Sequence, residues 1–336
     1  EKKAVAYINS DTNGRGTLGV EGSHTLENFV NGVAKDITDP EAKISAWKRR
    51  QANTLAYGGP DARKDARSRE DQHIGALGSG SDYSSFLQHL GVASLNVGYG
   101  GEDDGGIYHS IYDDFYWYTH FSDTSFVYGK ALAQTAGTMV MRLADADLLP
   151  YTFTNLAETA RNYATDLQKL RDTRYDQITD ANRLIDEGVY VAVNDPRDPI
   201  LAPARKTPPP QFNFAPLLNA LDSLSSAAKR YDRAAAGVSA GTSGGAAKLA
   251  SVNQRLIQAE RAMTSDQGLK GRTWYKHLLY APGFYTGYGV KTMPAVREAI
   301  EQGQWNDVDG EIARVAGALN REATLVSQLA SELGAK

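Results

Sequence analysis

The chain has 336 residues, of which 41% are hydrophobic and 23% are charged. This composition is typical of a folded protein with roughly two domains, and it excludes an intrinsically disordered chain or a collagen-like fibre. The formal net charge of −4 provides no basic surface for a phosphate backbone, so we expect no nucleic-acid partner. Peptides, small molecules and further copies of the chain are the expected partners.

The residue types limit the available chemistry. The sequence has no cysteine, which excludes disulfides and thiolate ligands and leaves His, Asp and Glu as candidate metal ligands. No segment reaches about 18 uninterrupted apolar residues, so we expect no membrane span in this chain. The segment after Glu1 enters a strand-like pattern at once, without a signal peptide, and we expect the gene product to begin upstream of residue 1.

The first 150 residues predict an α/β domain with a mostly parallel sheet, because short strand patterns alternate with helical ones. The expected strands are residues 4–8 and 92–97, and the expected helices are residues 26–37, a segment capped by Ser81 or Asp82, and residues 123–149. The glycine-rich segment 98–107 is predicted to be a loop.

Residues 151–336 predict an all-α bundle in which strands are absent. The expected helices are residues 156–193, 217–231, 246–263 and 308–329, with a proline-rich connector at 196–210 and a flexible loop at 237–245. The segment 274–296 is rich in aromatic residues but has no periodicity. It is either a loop that anchors the bundle to the α/β domain or a loop that lines a ligand site.

Two residues in the first domain are candidates for metal or acid–base chemistry. Asp11 follows the first predicted strand, where α/β proteins place functional carboxylates, although an Asx-turn or helix cap also explains it. His109 follows the glycine-rich segment, and a hydrogen-bonded structural histidine is the alternative there. No nucleophilic triad, His-Glu-x-x-His motif or Glu-Glu pair occurs in the sequence.

Several segments together resemble one known family, in order and with compatible spacing over nearly the whole chain. They are Asn-Ser-Asp at 9–11, Leu-Gly-Ser-Gly-Ser-Asp at 77–82 with its continuation to 94, Ile-Tyr-His-Ser-Ile-Tyr-Asp at 107–113, His-Leu-Leu-Tyr-Ala-Pro at 277–282 and Pro-Ala-Val-Arg-Glu-Ala at 294–299. This set is similar to the glutamate carboxypeptidase II and transferrin receptor family. The resemblance implies a partial zinc-exopeptidase α/β/α domain over residues 1–150. An all-α helical-bundle dimerisation domain over residues 151–336 would follow it.

The resemblance also implies a hydrolase: a co-catalytic two-zinc metallopeptidase, acting as a carboxypeptidase or an aminopeptidase on small peptides. Asp11 matches a ligand of one zinc ion, and His109 matches a ligand of the other. Tyr108 matches a catalytic tyrosine that hydrogen-bonds the oxygen on which charge develops. The residues that the resemblance places in the substrate-binding cleft are Ser79, Gly80, Ser81, Asn96 and Tyr288.

Two departures from the family pattern shape the expected function. The remaining metal ligands and the Glu-Glu pair are absent from these residues, so we expect a C-terminal part that is inactive without the upstream portion of the same protein. Members that prefer acidic substrates carry arginines near Asn96 and a lysine at the position of Gly287. This chain is therefore expected to prefer neutral or apolar substrates.

The resemblance further implies a homodimer formed through the helical domain, in a secreted or periplasmic protein. Two alternatives remain open. One is a noncatalytic, transferrin receptor-like binding protein, which Asp11, Tyr108 and His109 disfavour as a retained set. The other is a purely structural helical protein with an attached α/β segment, which predicts neither metal affinity nor a pocket.

Overall fold

The computed structural model describes residues 3–103, 107–238 and 245–334. The strands are β1 (Tyr7–Asn9), β2 (Gly16–Gly22), β3 (Ser94–Gly101), β4 (Tyr280–Pro282) and β5 (Val290–Thr292). The helices of the first half are α1 (Glu27–Asp36), α2 (Ala46–Tyr57), α3 (Pro60–Ser68), α4 (Phe115–Phe121) and α5 (Val127–Ala144). Those of the second half are α6 (Thr154–Asp186), α7 (Val189–Ala192), α8 (Ala215–Ala236), α9 (Ala246–Leu256), α10 (Ala259–Ala262), α11 (Pro294–Glu301) and α12 (Trp305–Glu332).

The α/β class predicted for the first half is confirmed, but its sheet is mixed rather than mostly parallel. The described strands have the order β1-β3-β2, in which β1 is parallel and β2 antiparallel to β3. Strand β2 was not predicted. The prediction of a loop from residue 98 onward was wrong for 98–101, because these glycine-rich residues pair with β2. Glycine is required at Gly98, where a Cβ would collide with the carbonyl oxygen of Thr12.

The helices of the first half depart from prediction at several boundaries. Helix α1 matches the predicted segment, whereas α5 is shorter than predicted and α2 and α3 were missed. Helix α2 begins at a conventional cap, since the side chain of Ser45 accepts a hydrogen bond from Lys48 N. The prediction of a cap at Ser81 or Asp82 was wrong. That segment instead forms a short π-helix, Ser85–Leu90, without a side-chain cap.

The second half is dominated by three long helices, α6, α8 and α12, as its apolar periodicity predicts. Their facing positions are fully buried and include Leu156, Leu167, Leu221, Leu224, Ile312, Leu319 and Val326. Gly188, in the left-handed region, separates α6 from α7, and the predicted helix 246–263 is divided into α9 and α10. The predicted loop at 237–245 lies mostly outside the described residues. None of the helices in the described ranges combines the length and apolarity that a bilayer crossing requires.

The prediction that the second half lacks strands was wrong. Strands β4 and β5 pair antiparallel, with Tyr280 opposite Thr292 and Pro282 opposite Val290. Each strand has only three residues, which is too short for an alternating pattern to be detected in the sequence. The turn between them, residues 283–289, reaches the first half at Ser79, and the earlier part of the aromatic segment reaches it through Lys276 N and His277 N, which donate to the carbonyl oxygen of Gln88.

A buried polar network joins the two halves. The ring nitrogens of His24 contact a carboxylate oxygen of Glu27 at 3.2 Å and the hydroxyl of Tyr163, in α6, at 2.8 Å. Burial alone raises the pKa of Glu27, but the hydrogen bonds from His24 and His73 outweigh it and lower that pKa to about 2. Glu27 is therefore an anion in the interior, held by His24 and His73, and Tyr163 of the second half is linked to it through His24.

A second buried cluster lies within the helical half. His277 accepts from the backbone of Leu279 and Tyr280 at Nδ1, so Nε2 carries the proton and donates to Glu260 at 3.0 Å. Glu322 is fully buried, and neither of its carboxylate oxygens has a partner among the described residues. Burial, together with the charge of Glu260, raises the pKa of Glu322 well above its usual value.

Glu322 binds a proton more tightly in the folded state than in the unfolded state. Its full contribution to the free energy of unfolding is therefore present below the unfolded-state pKa of about 4.5. This contribution is lost as the pH rises through the folded-state pKa. We expect Glu322→Gln, which cannot ionise, to exceed the wild type in free energy of unfolding by about 1–3 kcal/mol at pH 8. The difference should shrink toward pH 4. Denaturant unfolding at several pH values measures it, with the exposed Glu187→Gln as a control that shows no such trend. A flat difference for Glu322→Gln would contradict the assignment.

Candidate functional site

The carboxyl end of β1 and the neighbouring third residue of β3 carry a compact polar cluster. The parallel register places Asn9 opposite Asn96, and Nδ2 of Asn9 donates to Oδ1 of Asn96 at 2.9 Å. The same Nδ2 lies 3.0 Å from Oδ1 of Asp11 and 3.1 Å from Oγ of Ser81. The hydroxyl of Ser81 also donates to Oδ1 of Asp11. Three predicted site residues, Asp11, Ser81 and Asn96, therefore meet around Asn9.

The carboxylate of Asp11 is held at one oxygen only. Both of its donors, Asn9 and Ser81, bind Oδ1, and within the described residues Oδ2 has no hydrogen-bond partner. No described backbone N–H donates to the side chain, so Asp11 forms neither an Asx-turn nor a helix cap. The residue is exposed, and its Oδ2 is available to a ligand.

The electrostatic environment at this edge of the sheet is negative. Burial, Asp82 and Asp11 raise the pKa of Tyr7, which lies on β1. Burial, Glu21 and Asp11 raise the pKa of Tyr83 to about 12. A negative potential stabilises a bound cation, and this site is more favourable to a metal ion or an amine than to an anion.

The loop at 78–80 packs directly on the β4–β5 turn. Ser79 N donates to the carbonyl oxygen of Tyr288 at 3.0 Å. A Cβ on Gly78 would collide with that carbonyl, and a Cβ on Gly80, whose φ is +102°, would lie 2.7 Å from the ring of Tyr288. The aromatic segment therefore anchors the helical half to the first half. The ring of Tyr288 remains 58% exposed beside the loop.

Tyr108 and His109 lie on the loop that precedes α4. Their rings stack with centroids 3.7 Å apart, and Tyr108 is 57% exposed. His109 has φ of +61°, a left-handed conformation that is uncommon for a residue with a side chain. Its imidazole makes no hydrogen bond with any described residue, so both ring nitrogens are available.

A cavity of about 250 Å³ connects this loop with the segment that follows Asp11. Thr12, Gly14, Tyr108 and Trp117 contribute to its wall. Within the described residues, however, no contact joins Asp11 to His109, and no three His, Asp or Glu side chains are grouped as a metal site. The structure thus shows two separate candidate ligands near one cavity.

Sequence reasoning missed the central residue of the cluster, Asn9. A neutral amide inside a strand suggests no chemistry by itself, and its role becomes visible only when the sheet register is known. The available signal was its position two residues before Asp11 in the Asn-Ser-Asp segment.

Comparison with known proteins identifies the class. The family profile of the transferrin receptor-like dimerisation domain matches residues 212–327. The probable glutamate carboxypeptidase LAMP1 of Arabidopsis thaliana is 31% identical over 333 residues, covering 96% of this chain and 40% of the relative. Aminopeptidase NAALADL1 of Mus musculus is 23% identical over 348 residues, covering 97% of this chain and 40% of the relative.

The chain belongs to the glutamate carboxypeptidase II-like and transferrin receptor-like family, and its named relatives include peptidases. It spans about 40% of the length of these relatives. A shorter match, 32% identical over 74 residues, covers 22% of this chain and 9% of an inactive zinc metalloprotease, C354.09c, of Schizosaccharomyces pombe.

The close contact of Gly78 with Tyr288 predicts that adding one methyl group at position 78 lowers the stability of the fold. We expect Gly78→Ala to lower the free energy of unfolding by about 1–3 kcal/mol, because the Cβ forces the β4–β5 turn away from the 78–80 loop. The matched control is Gly32→Ala in α1, where a Cβ meets no atom within 4 Å and the better helix former stabilises by up to about 1 kcal/mol. Denaturant unfolding measures both, and equal effects would contradict the contact.

Proposed function

We propose that this chain supplies part of the active site of a co-catalytic two-zinc exopeptidase that hydrolyses small peptides. The observation that carries the proposal is the carboxylate of Asp11 at the carboxyl end of β1. Asn9 and Ser81 fix its Oδ1, and its Oδ2 is free to bind a cation. The peptidase names of the relatives support the same class of reaction.

The candidate ligands fit zinc by donor type. A carboxylate oxygen from Asp11 and an imidazole nitrogen from His109 are both common zinc ligands, and neither candidate atom is engaged by a described residue. Bound zinc supplies Lewis-acid activation of water and of the substrate carbonyl. We propose that Asp11 holds one ion and His109 the other.

The other predicted site residues bind and orient the substrate in this proposal. The exposed hydroxyl of Tyr108 donates a hydrogen bond to the carbonyl oxygen on which negative charge develops. The 78–80 loop and Ser81, with Asn96 and the ring of Tyr288, line the substrate cleft. Because Tyr288 comes from the helical half, the cleft requires both halves of the chain.

We propose that the remaining ligands and the general base come from an upstream portion of the same protein. In the described sheet β1 pairs with β3 alone and leaves its other edge open. Near Tyr108, the side chains of Ile111, Phe115 and Phe121 are 62–86% exposed. A free strand edge and a group of exposed large apolar side chains are each surfaces that normally pack against further structure.

The proposed assembly is a homodimer formed through the helical half, supported by the match to a dimerisation domain over residues 212–327. The proposed localisation, secreted or periplasmic, rests on the family resemblance alone.

Native mass spectrometry of the zinc-loaded intact gene product tests the metal, the assembly and the upstream contribution together. We expect a dimer with two zinc ions per chain. The 336-residue chain alone should bind fewer ions, because it lacks the remaining ligands. Asp11→Ala combined with His109→Ala should remove both ions from the intact product.

The matched control combines Asp266→Ala with His89→Ala, which removes the same residue types away from the cluster and should leave the zinc content unchanged. An intact product without zinc after loading would overturn the metallopeptidase proposal. It would favour the alternative, a noncatalytic receptor-like binding protein. The Schizosaccharomyces pombe relative is a precedent for the loss of activity alone.

We further propose that the substrates are neutral or apolar rather than acidic. Asn96 is neutral and donates no charge to the cleft, and its Oδ1 already accepts from Asn9. Gly287, in the turn beside Tyr288, has no side chain, whereas acidic-preferring relatives have a lysine there.

The substrate proposal predicts a larger kcat/KM for neutral dipeptides than for acidic ones with the intact product. Gly287→Lys should raise kcat/KM for acidic dipeptides by about tenfold, the effect of roughly one charge-assisted contact. Because Gly287 has φ of +59°, the lysine adds backbone strain of about 1–2 kcal/mol. Gly287→Ala carries the same strain without the charge and is the control. A wild-type preference for acidic dipeptides would overturn the proposal.

A further inference from the structure

We propose that Asn9 is a positioning residue that fixes the orientation of the Asp11 carboxylate for metal binding and couples it to Asn96 in the substrate cleft. The inference rests on the proposed zinc peptidase function and adds a residue that touches neither metal nor substrate. It follows from the hydrogen bonds and burial where the end of β1 pairs with β3.

The side-chain amide nitrogen of Asn9 is surrounded by hydrogen-bond acceptors. The residue is 6% exposed, and its Nδ2 faces three oxygens, from Asp11, Ser81 and Asn96, at 2.9–3.1 Å. All three acceptors come from different segments of the chain. A buried amide that faces three oxygens holds these segments at fixed separations.

The pattern of donors determines which oxygen of Asp11 is free. Because Asn9 and Ser81 both bind Oδ1, two donors hold that oxygen in place, and among the described residues Oδ2 has no hydrogen-bond partner. Removing a group that orients a metal ligand in this way typically lowers the affinity for the metal by 10–100-fold. Asn9 therefore acts on the metal through Asp11.

The residue type is specific to this role. Aspartate has the same shape as asparagine but offers no N–H, and its charge would repel the Asp11 carboxylate. Alanine removes the donor and leaves Ser81 as the one described donor to Oδ1. The two substitutions remove the same hydrogen bonds but differ in charge, which makes them useful together.

The experiment measures zinc affinity of the intact gene product by competition with a chelator, together with kcat, KM and thermal unfolding. We expect Asn9→Ala to weaken the binding of one of the two zinc ions by about 10–100-fold, and Asn9→Asp to weaken it at least as much. At saturating zinc, kcat should fall more than KM rises, since the misplaced carboxylate affects the reacting geometry.

The control is Asn31→Ala. Asn31 is 2% exposed, and its Nδ2 also donates twice, to the carbonyl oxygens of Glu27 and Gln72, but it contacts no residue of the cluster. We expect this variant to lower thermal stability while leaving zinc affinity unchanged. A merely structural role for Asn9 would make the two alanine variants equivalent.

The outcomes separate the two proposals. If the wild type binds two zinc ions and Asn9→Ala binds them with wild-type affinity, the positioning role is overturned and the zinc site stands. If the wild type binds no zinc, the proposed function is overturned, and the positioning role with it. Should Asn9→Ala fail to fold, the isosteric Asn9→Asp decides the question by the same measurements.

Discussion

The parallel pairing of β1 with β3 is the constraint on which the candidate site depends. It sets Asn9, the last residue of β1, opposite Asn96, the third residue of β3, although the two strands come from distant parts of the chain. Strand β2 holds β3 from the other side, and the close approach of Gly98 to Thr12 fixes the segment that follows Asp11. A shift of one residue in this register would place the side chains of Asn9 and Asn96 on opposite faces of the sheet, and their hydrogen bond could not form.

The helical half contacts the first half at several places. The carbonyl oxygen of Tyr288 accepts from Ser79 N, and a Cβ at position 78 or 80 would collide with Tyr288. On another face, Tyr163 of α6 contacts His24 beside the buried Glu27. These contacts come from separate segments of the second half, so a movement of the bundle would be transmitted to the loop that lines the proposed cleft.

Secondary structure was predicted correctly from the sequence where the apolar residues recur with a clear helical period. Long amphipathic helices such as α6, α8 and α12 were predictable because their apolar positions recur over many turns. The polar α2 and α3 and the three-residue strands β4 and β5 lack that signal, and the glycines of β3 imitate a loop. At the candidate site, Asp11 was predicted from its position after a strand and Ser81 and Asn96 from family resemblance, whereas Asn9 required the register, which no local pattern contains.

The two candidate metal ligands differ in how the chain prepares them. Asp11 is oriented by two donors to one oxygen, while His109 has a left-handed backbone and, among the described residues, stacks on Tyr108 without a hydrogen bond. A protein that used Asp11 solely for stability would gain by satisfying both carboxylate oxygens, since each additional donor strengthens the charge-assisted bonding. Fixing one oxygen and leaving the other open instead suits a ligand-binding carboxylate. The site of Asp11 is thus pre-organised by this chain, and that of His109 depends on what packs against the exposed loop.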